Sequence, residues 1–236
     1  MIAVPTVELI AQPMIISAEM LSAMESRLED VNGVSDPDLI YEHAGRGCYR
    51  SYHRPNPETS LNRDYLGKSI INNGHYSVLE HGSFVFHVKG ISRALLAELT
   101  RHRHLSPSVE SLRFCPPRDY VMHPTLRPYN YLHEAIERHW QETLQVYFMI
   151  FDTLTVDGLT KKQAREAARM VLPLSTATDL VISGNARAWR EVLAKRFDPA
   201  ADKEIYELAG TFLSILKDVA PAAFQDMPYP TTLAAA

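Results

Sequence analysis

The feature that most constrains this chain is an unbroken alternation, Ser83-Phe84-Val85-Phe86-His87-Val88-Lys89. Phe84, Phe86 and Val88 fall on one side, and Ser83, Val85, His87 and Lys89 on the other. Successive side chains of a strand point to opposite faces, so the run demands a sheet with one face buried. Gly90 is expected to break the strand. Leu95, Leu96 and Leu99 then recur at helical spacing, marking a helix that ends in Arg101-His102-Arg103-His104.

Ser17 is placed to cap a helix beginning Ala18-Glu19-Met20-Leu21, with Met20, Leu21, Met24 and Leu28 on one face. Further helices are expected over residues 37–45, 64–72, 133–153, 161–171, 185–196 and 202–219. The longest carries an apolar stripe of Ile136, Trp140, Leu144, Tyr147 and Phe151. Asn73-Gly74 ends the helix before it, residues 49–57 and 115–128 read as Pro-containing loops, and residues 180–183 form a short strand from which Gly184 turns the chain. No repeat or linker interrupts residues 1–236, which read as one domain. Helices with a few strands in irregular order predict an α+β fold.

The composition, 46% hydrophobic, is that of a chain with a sizeable core. Its net charge of −4 gives no overall field toward nucleic acid or an anionic membrane, so any bound anion must be met by a local cluster. Cys48 and Cys115 are too few for a disulfide framework and lack zinc-site spacing, which fits a reducing, cytoplasmic setting. No apolar run reaches a membrane span, and the start at Met1 lacks the pattern of an export signal.

Residues 101–104 are the densest chemical feature. Three readings compete: cations on a helix dipole, a nucleic-acid patch, or the phosphate of a small ligand held by guanidinium forks. Lys162, Arg165 and Arg169 stack on one helix face, with Ala164, Ala167, Ala168 and Val171 turned to the core, and either form a solvated face with Glu166 or add to an anion site. Arg196 is ambiguous alone; its helix, the 161–171 helix and the 101–104 cluster would make a strong anion site if they converged. His75, His81 and His87 lack metal-ligand spacing, and no metal is expected. Glu80-His81 reads as a polar pair that orients a ligand or a helix end. Cys115 is either an arginine-activated nucleophile or a structural thiol.

Arg101-His102-Arg103, seven residues, then Ser111 resembles the signature of the flavin-dependent thymidylate synthases. The resemblance extends over Gly74-His75-Tyr76-Ser77-Val78-Leu79-Glu80-His81, Gly90-Ile91-Ser92-Arg93, and Arg165-Glu166-Ala167-Ala168-Arg169 through Gly184-Asn185 to Arg196, covering residues 40–220. It implies an α/β subunit with a central, mainly antiparallel sheet flanked by helices, in a homotetramer whose active sites are shared between chains around noncovalent FAD. It also implies the reaction: NADPH reduces the flavin, methylenetetrahydrofolate supplies one carbon, and C5 of a uridine nucleotide is methylated. By position, Arg101, His102 and Arg103 would contact FAD, supported by Ser77, Glu80 and Asn185, with Glu191 at a cofactor-contact position. His75 would stand where folate stacks. Arg93, Ser111, Arg113, Arg169 and Arg196 would hold the nucleotide: Arg93 and Arg169 at the phosphate, Arg196 at the uracil as electrostatic catalyst, and Ser111 as a positioning hydroxyl. The alternative is a catalytically inactive nucleotide- or RNA-binding homologue.

Four positions depart from the family pattern. Val109 stands where Glu or Gln is usual, with Glu110 shifted by one; Leu112 and Phe114 replace more polar residues; and Glu191 stands where a neutral or basic contact is common. Losing three polar contacts from the nucleotide loop implies a looser ribose pocket and a branch that methylates UMP alongside dUMP, as in nucleoside-antibiotic pathways. The ratio of specificity constants is then expected below about a hundred.

Overall fold

The computed structural model describes residues 1–25, 31, 33–53 and 56–229; Leu28, Pro55 and the tail beyond 229 lie outside the described residues. In chain order, β1 (Ile2–Ala3) and β2 (Thr6–Ala11) precede α1 (Ala18–Glu25) and α2 (Asp36–Tyr49). α3 (Asn62–Tyr65) runs on as a π-helical stretch over Leu66–Ile71, and a 3-10 segment, Tyr76–Glu80, leads to β3 (Phe84–Ser92) and α4 (Arg93–Leu99). β4 (Ser106–Val109) and β5 (Tyr120–Val121) are followed by α5 (Asn130–Val156) and α6 (Lys161–Ala168). β6 (Ala177–Gly184), α7 (Ala186–Arg196) and α8 (Lys203–Val219) complete the order.

Four strands form an antiparallel sheet in the order β2-β3-β6-β4, and β1 pairs in parallel with β5. This is the expected mixed fold with a mainly antiparallel sheet flanked by helices. Phe84, Phe86 and Val88 are fully buried on the face of β3 covered by α7 and α8. Phe86 meets Trp189 and Phe212 edge-on, both at 5.0 Å between ring centroids, and those two rings lie 4.6 Å apart. Aromatic groups of this size each bury a large apolar area, and with the aliphatic residues around them they fix the helices to the sheet.

Several expectations are corrected. Gly90 does not end β3; its φ of +68° forms a bulge after which Ile91 and Ser92 pair with Thr178 and Ala177. A Cβ there would lie 2.8 Å from the Val4 carbonyl oxygen, so only glycine fits. Val109 belongs to β4, opposite Leu180, and packs on the core rather than lying in the loop. On α6, Ala164 and Ala168 are buried, but Ala167 is exposed and Val171 is 37% exposed, because the helix tightens into a 3-10 turn at Arg169–Val171. The 115–128 loop contains β5, and the helix before it stops at Leu99, leaving residues 101–104 in the turn beyond. Among the described residues, no helix is long and apolar enough to cross a membrane.

The junction of β3 and α4 positions the cationic turn. Ser92 caps α4 by accepting the Leu95 N–H at 3.0 Å. Buried Glu204, in the first turn of α8, accepts the Ser92 N–H at 2.8 Å and the Ser92 hydroxyl at 2.5 Å. Removing the carboxylate strands two buried donors. Glu204→Ala is therefore expected to cost about 2–4 kcal/mol in urea unfolding at matched protein concentration, whereas an exposed α8 control such as Asp218→Ala should change little.

Candidate functional site

Beyond Leu99 the chain folds back on α4: the Arg101 N–H donates to the Glu98 carbonyl at 3.3 Å, and the His102 N–H to the Leu99 carbonyl at 3.2 Å. Leu105 anchors the turn, packing against Gly184 so closely that a Cβ at that glycine would lie 2.5 Å from its Cδ2. Across from the turn stands α7, begun by Asn185, whose side chain accepts the Ala188 N–H at 2.9 Å. Ala188, Glu191 and Lys195 recur on one α7 face, which with Arg196 and residues 101–105 lines a cleft of about 480 Å³. A second cavity of about 220 Å³ adjoins it, lined by Glu80, His104, Asn185, Arg187, Ala188 and Glu191.

Charge in the cleft is unevenly satisfied. Arg196 is the best held: Nη1 donates to Glu98 Oε2 at 2.6 Å, Nη2 to the Glu98 carbonyl at 3.2 Å, and Nε to His102 Nε2 at 3.0 Å. The last bond requires an unprotonated His102 Nε2. Burial pushes the His102 pKa down, and the charges of Arg196 and Lys195 push it further. Lys195 pairs with Glu191 at 2.7 Å and holds that carboxyl below the usual range. Glu80 pairs with Arg187 at 2.5 Å. Arg101 and Arg103 are exposed and have no carboxylate partner among the described residues. Two free guanidiniums beside a cleft that also offers Arg196 fit a long ligand with a diphosphate, as FAD is.

The other predicted arginines gather at the opposite end of α4. Arg93, its first residue, donates through Nη2 to the Glu110 carbonyl at 2.9 Å, while its buried Nε has no partner. Burial lowers the Arg93 pKa, Glu110 opposes that shift, and nearby Arg169 lowers it further. Two like charges beside an orphaned donor make a place for an anion. Arg113 is tied to α6, just before Arg169, by a 2.6 Å pair with Glu166, and the Ser111 hydroxyl accepts the Arg113 N–H at 3.4 Å.

The expected convergence of both Arg-bearing helices is not found within one chain. Arg196 meets residues 101–104, but Arg165 lies over Phe151 and Lys162 over Phe114, away from that cleft. His75 and Ser77 line neither cavity; His75 stacks on Tyr49, their centroids 6.1 Å apart. Cys48 and Cys115 are free and line neither cavity. Among the described residues, no three His, Cys, Asp or Glu side chains gather as a metal site. Sequence reasoning missed Glu98, Arg187, Lys195 and Tyr49. Arg187, Glu191 and Lys195 follow each other at four-residue spacing and were legible as one helix face; Glu98 and Tyr49 gave no such signal.

The family model described as "Thymidylate synthase complementing protein" matches residues 28–222. A "Probable flavin-dependent thymidylate synthase" of Mycobacterium phage L5 is 47% identical over 214 residues, 86% of each chain. One from Mycobacterium phage D29 is 42% identical, covering 84% of this chain and 87% of its own. A "Flavin-dependent thymidylate synthase" of Mycobacterium avium strain 104 is 42% identical over 86% of this chain and 85% of its own.

A depressed histidine pKa favours the folded arrangement above the ordinary value of 6.5, and that contribution is lost as pH falls through the lowered value. NMR titration is expected to place the His102 midpoint below 6.5 and to show it rising in Arg196→Ala. The rise should remain partial, because burial persists as the larger cause.

Proposed function

The chain belongs to the flavin-dependent thymidylate synthase family, and from that premise we propose that it methylates C5 of dUMP with methylenetetrahydrofolate as carbon donor, NADPH as reductant and FAD bound noncovalently. The observation that carries this reading is the cleft where the Arg101-His102-Arg103 turn faces Arg196. Arg101 and Arg103 hold the cofactor's diphosphate, while Glu80, Asn185 and Glu191 line its path. When bound, FAD supplies the hydride chemistry that replaces a cysteine nucleophile.

The chain's own residues bind and polarise the nucleotide. Arg93 and Arg169 take the phosphate, where the orphaned Arg93 Nε awaits an acceptor. Arg113 and Ser111 position the sugar-phosphate. Three of the five Arg196 N–H donors are engaged by Glu98 and His102, which fixes the guanidinium plane and leaves two donors for a carbonyl on which negative charge grows. His75, with Tyr49 behind it, offers a flat surface for the folate ring.

Because the phosphate group and the Arg196 cleft lie at opposite ends of α4, we place each complete site at the meeting of several chains in a homotetramer. Exposed Met149 and Val156 of α5, with Met170 and Leu174, provide apolar surface for such contacts. The two free cysteines accord with a reducing, cytoplasmic setting.

The purified protein is expected to be yellow or to take up FAD, to run as a tetramer, and to form dTMP from dUMP, methylenetetrahydrofolate and NADPH. A colourless monomer that ignores FAD overturns the reading; flavin uptake without turnover favours the inactive binding homologue. Replacing Cys48 and Cys115 with Ala should leave most activity, whereas Arg196→Ala should cost about 2–4 kcal/mol of transition-state stabilisation. UMP should also be methylated, with dUMP preferred by less than about a hundredfold, because Leu112 and Phe114 leave the loop with few groups able to exclude a hydroxyl. Robust dUMP turnover with no detectable UMP product returns the chain to ordinary thymidylate synthesis.

A further inference from the structure

A further cavity of about 250 Å³ lies where Ser35 and Asp38 at the start of α2, Arg63 on α3, Lys217 in the last turn of α8, and Pro221 and Gln225 beyond it come together. It shares no lining residue with the Arg196 cleft or the cavity beside Glu80. Lys217 is only 5% exposed, and among the described residues its ammonium meets no hydrogen-bond acceptor. Nζ stands 4.3 Å from the centroid of the Tyr229 ring, which attracts a cation but accepts none of its three N–H bonds in the manner of an oxygen. The neighbouring acid, Asp226, gives both oxygens to Arg190, each at 2.7 Å. A helix C-terminus suits a lysine, but a solvated lysine gains as much there without losing its hydration. Burial pushes the Lys217 pKa below its usual range; Asp226 opposes that shift, while Arg63 and Arg190 add to it.

A second cation lines the same cavity. Arg63 Nε donates to Gln225 Oε1 at 3.3 Å, and Gln225 Nε2 donates to the Arg63 and Ala222 carbonyls, both at 2.9 Å. That exchange holds one edge of the guanidinium and leaves Nη1 and Nη2 without an acceptor among the described residues. Asp38 also lines the cavity, but it is fully buried and its two oxygens accept the Ala222 and Ala223 N–H groups at 2.9 Å. We propose that this cavity binds a small organic monocarboxylate, whose oxygens accept from Lys217 and from the terminal nitrogens of Arg63 while its short apolar body lies along Val34 and Pro221. The volume falls below the range of pockets that enclose drug-sized ligands, so a nucleotide or a folate does not fit. Asp38 disfavours a doubly ionised phosphate, and a single carboxylate meets the two unpaired cations with less repulsion. Neither Lys217 nor Arg63 belongs to the flavin or nucleotide groups assigned above.

The test uses the purified full-length protein and sodium propionate, with sodium chloride and inorganic phosphate as controls at matched ionic strength. Binding is followed by saturation-transfer NMR on the propionate signals, and stability by the thermal midpoint. Wild type is expected to bind propionate saturably and to melt higher in it than in chloride, because a ligand held only by the folded chain stabilises it by mass action. Lys217→Met should weaken propionate binding at least about tenfold, and Arg63→Gln about three- to tenfold, since each removes a charge-assisted hydrogen bond. Without carboxylate, Lys217→Met should melt no lower than wild type, because an apolar chain of similar length replaces a buried ammonium that lacks an acceptor. Both variants should keep whatever rate of dUMP methylation the wild type shows. No saturable binding to wild type overturns the proposal, as does equal binding by both variants, which would put the anion at other arginines. Phosphate that binds as tightly as propionate and is lost in the same variants overturns the carboxylate assignment. A fall of more than about 5 °C in the Lys217→Met midpoint means that the protein itself satisfies the ammonium, and it overturns the proposal as well. Arg63→Gln, at an exposed position that the fold does not depend on, carries the binding comparison independently.

Discussion

The fold turns on one buried carboxylate. Glu204 takes both donors of Ser92 at the point where the central strand becomes a helix, and the Ser92 hydroxyl in turn caps that helix by accepting from Leu95. The Gly90 bulge rotates the last two residues of β3 into place for this exchange. Because α4 follows without a loop, its direction is fixed by the sheet, and so are the positions of Arg93 at its start and the Arg-His-Arg turn after its end. Rigid elements thus place both groups of cations, with little left to loop geometry.

An acidic chain concentrates positive charge in two places and treats them differently. Near Arg93 and Arg169 the charges repel and a donor goes unused, which favours an anion entering from outside. At Arg196 the charge is already balanced by Glu98, and an uncharged imidazole accepts the third bond. The first arrangement suits binding and the second suits orientation. Only a group held in advance avoids the cost of reorganising while charge develops on a substrate.

Much of the fold was legible because its signals are periodic. Phe84, Phe86 and Val88 alternate and are buried together, and Asn185 and Asp202 cap the helices they introduce. β2 and β4 escaped notice because edge strands are only half covered and need not alternate strictly; Ser106-Pro107-Ser108 reads as a turn until β6 pairs with it. Gly90 was legible as an interruption but not as a bulge, since what reserves the position for glycine is the Val4 carbonyl, which approaches from the connection between β1 and β2, far away in the sequence. At the site, the motif arginines were evident by type, whereas the partition between the two ends of α4 depends on where Glu98 and Glu166 reach, and pairing between distant side chains leaves no local pattern. Val109 shows the converse: its substitution was visible, but only the pairing with Leu180 reveals that it faces the core.

The antiparallel sheet has a further consequence during synthesis. The neighbour of β3 on its inner side is β6, with Phe84 opposite Gly184, and α7 and α8 follow later still. At ribosomal rates of about 5–20 residues per second, β3 waits roughly 5–20 s for β6 to pair along its edge, and longer for α7 and α8 to cover its apolar face. During that interval Phe84, Phe86 and Val88 form an exposed, β-prone ridge, flanked by His87 and Lys89 on the opposite face. Until the last third of the chain emerges, that ridge is the surface most open to wrong pairing, because the contacts that bury it are distant in sequence.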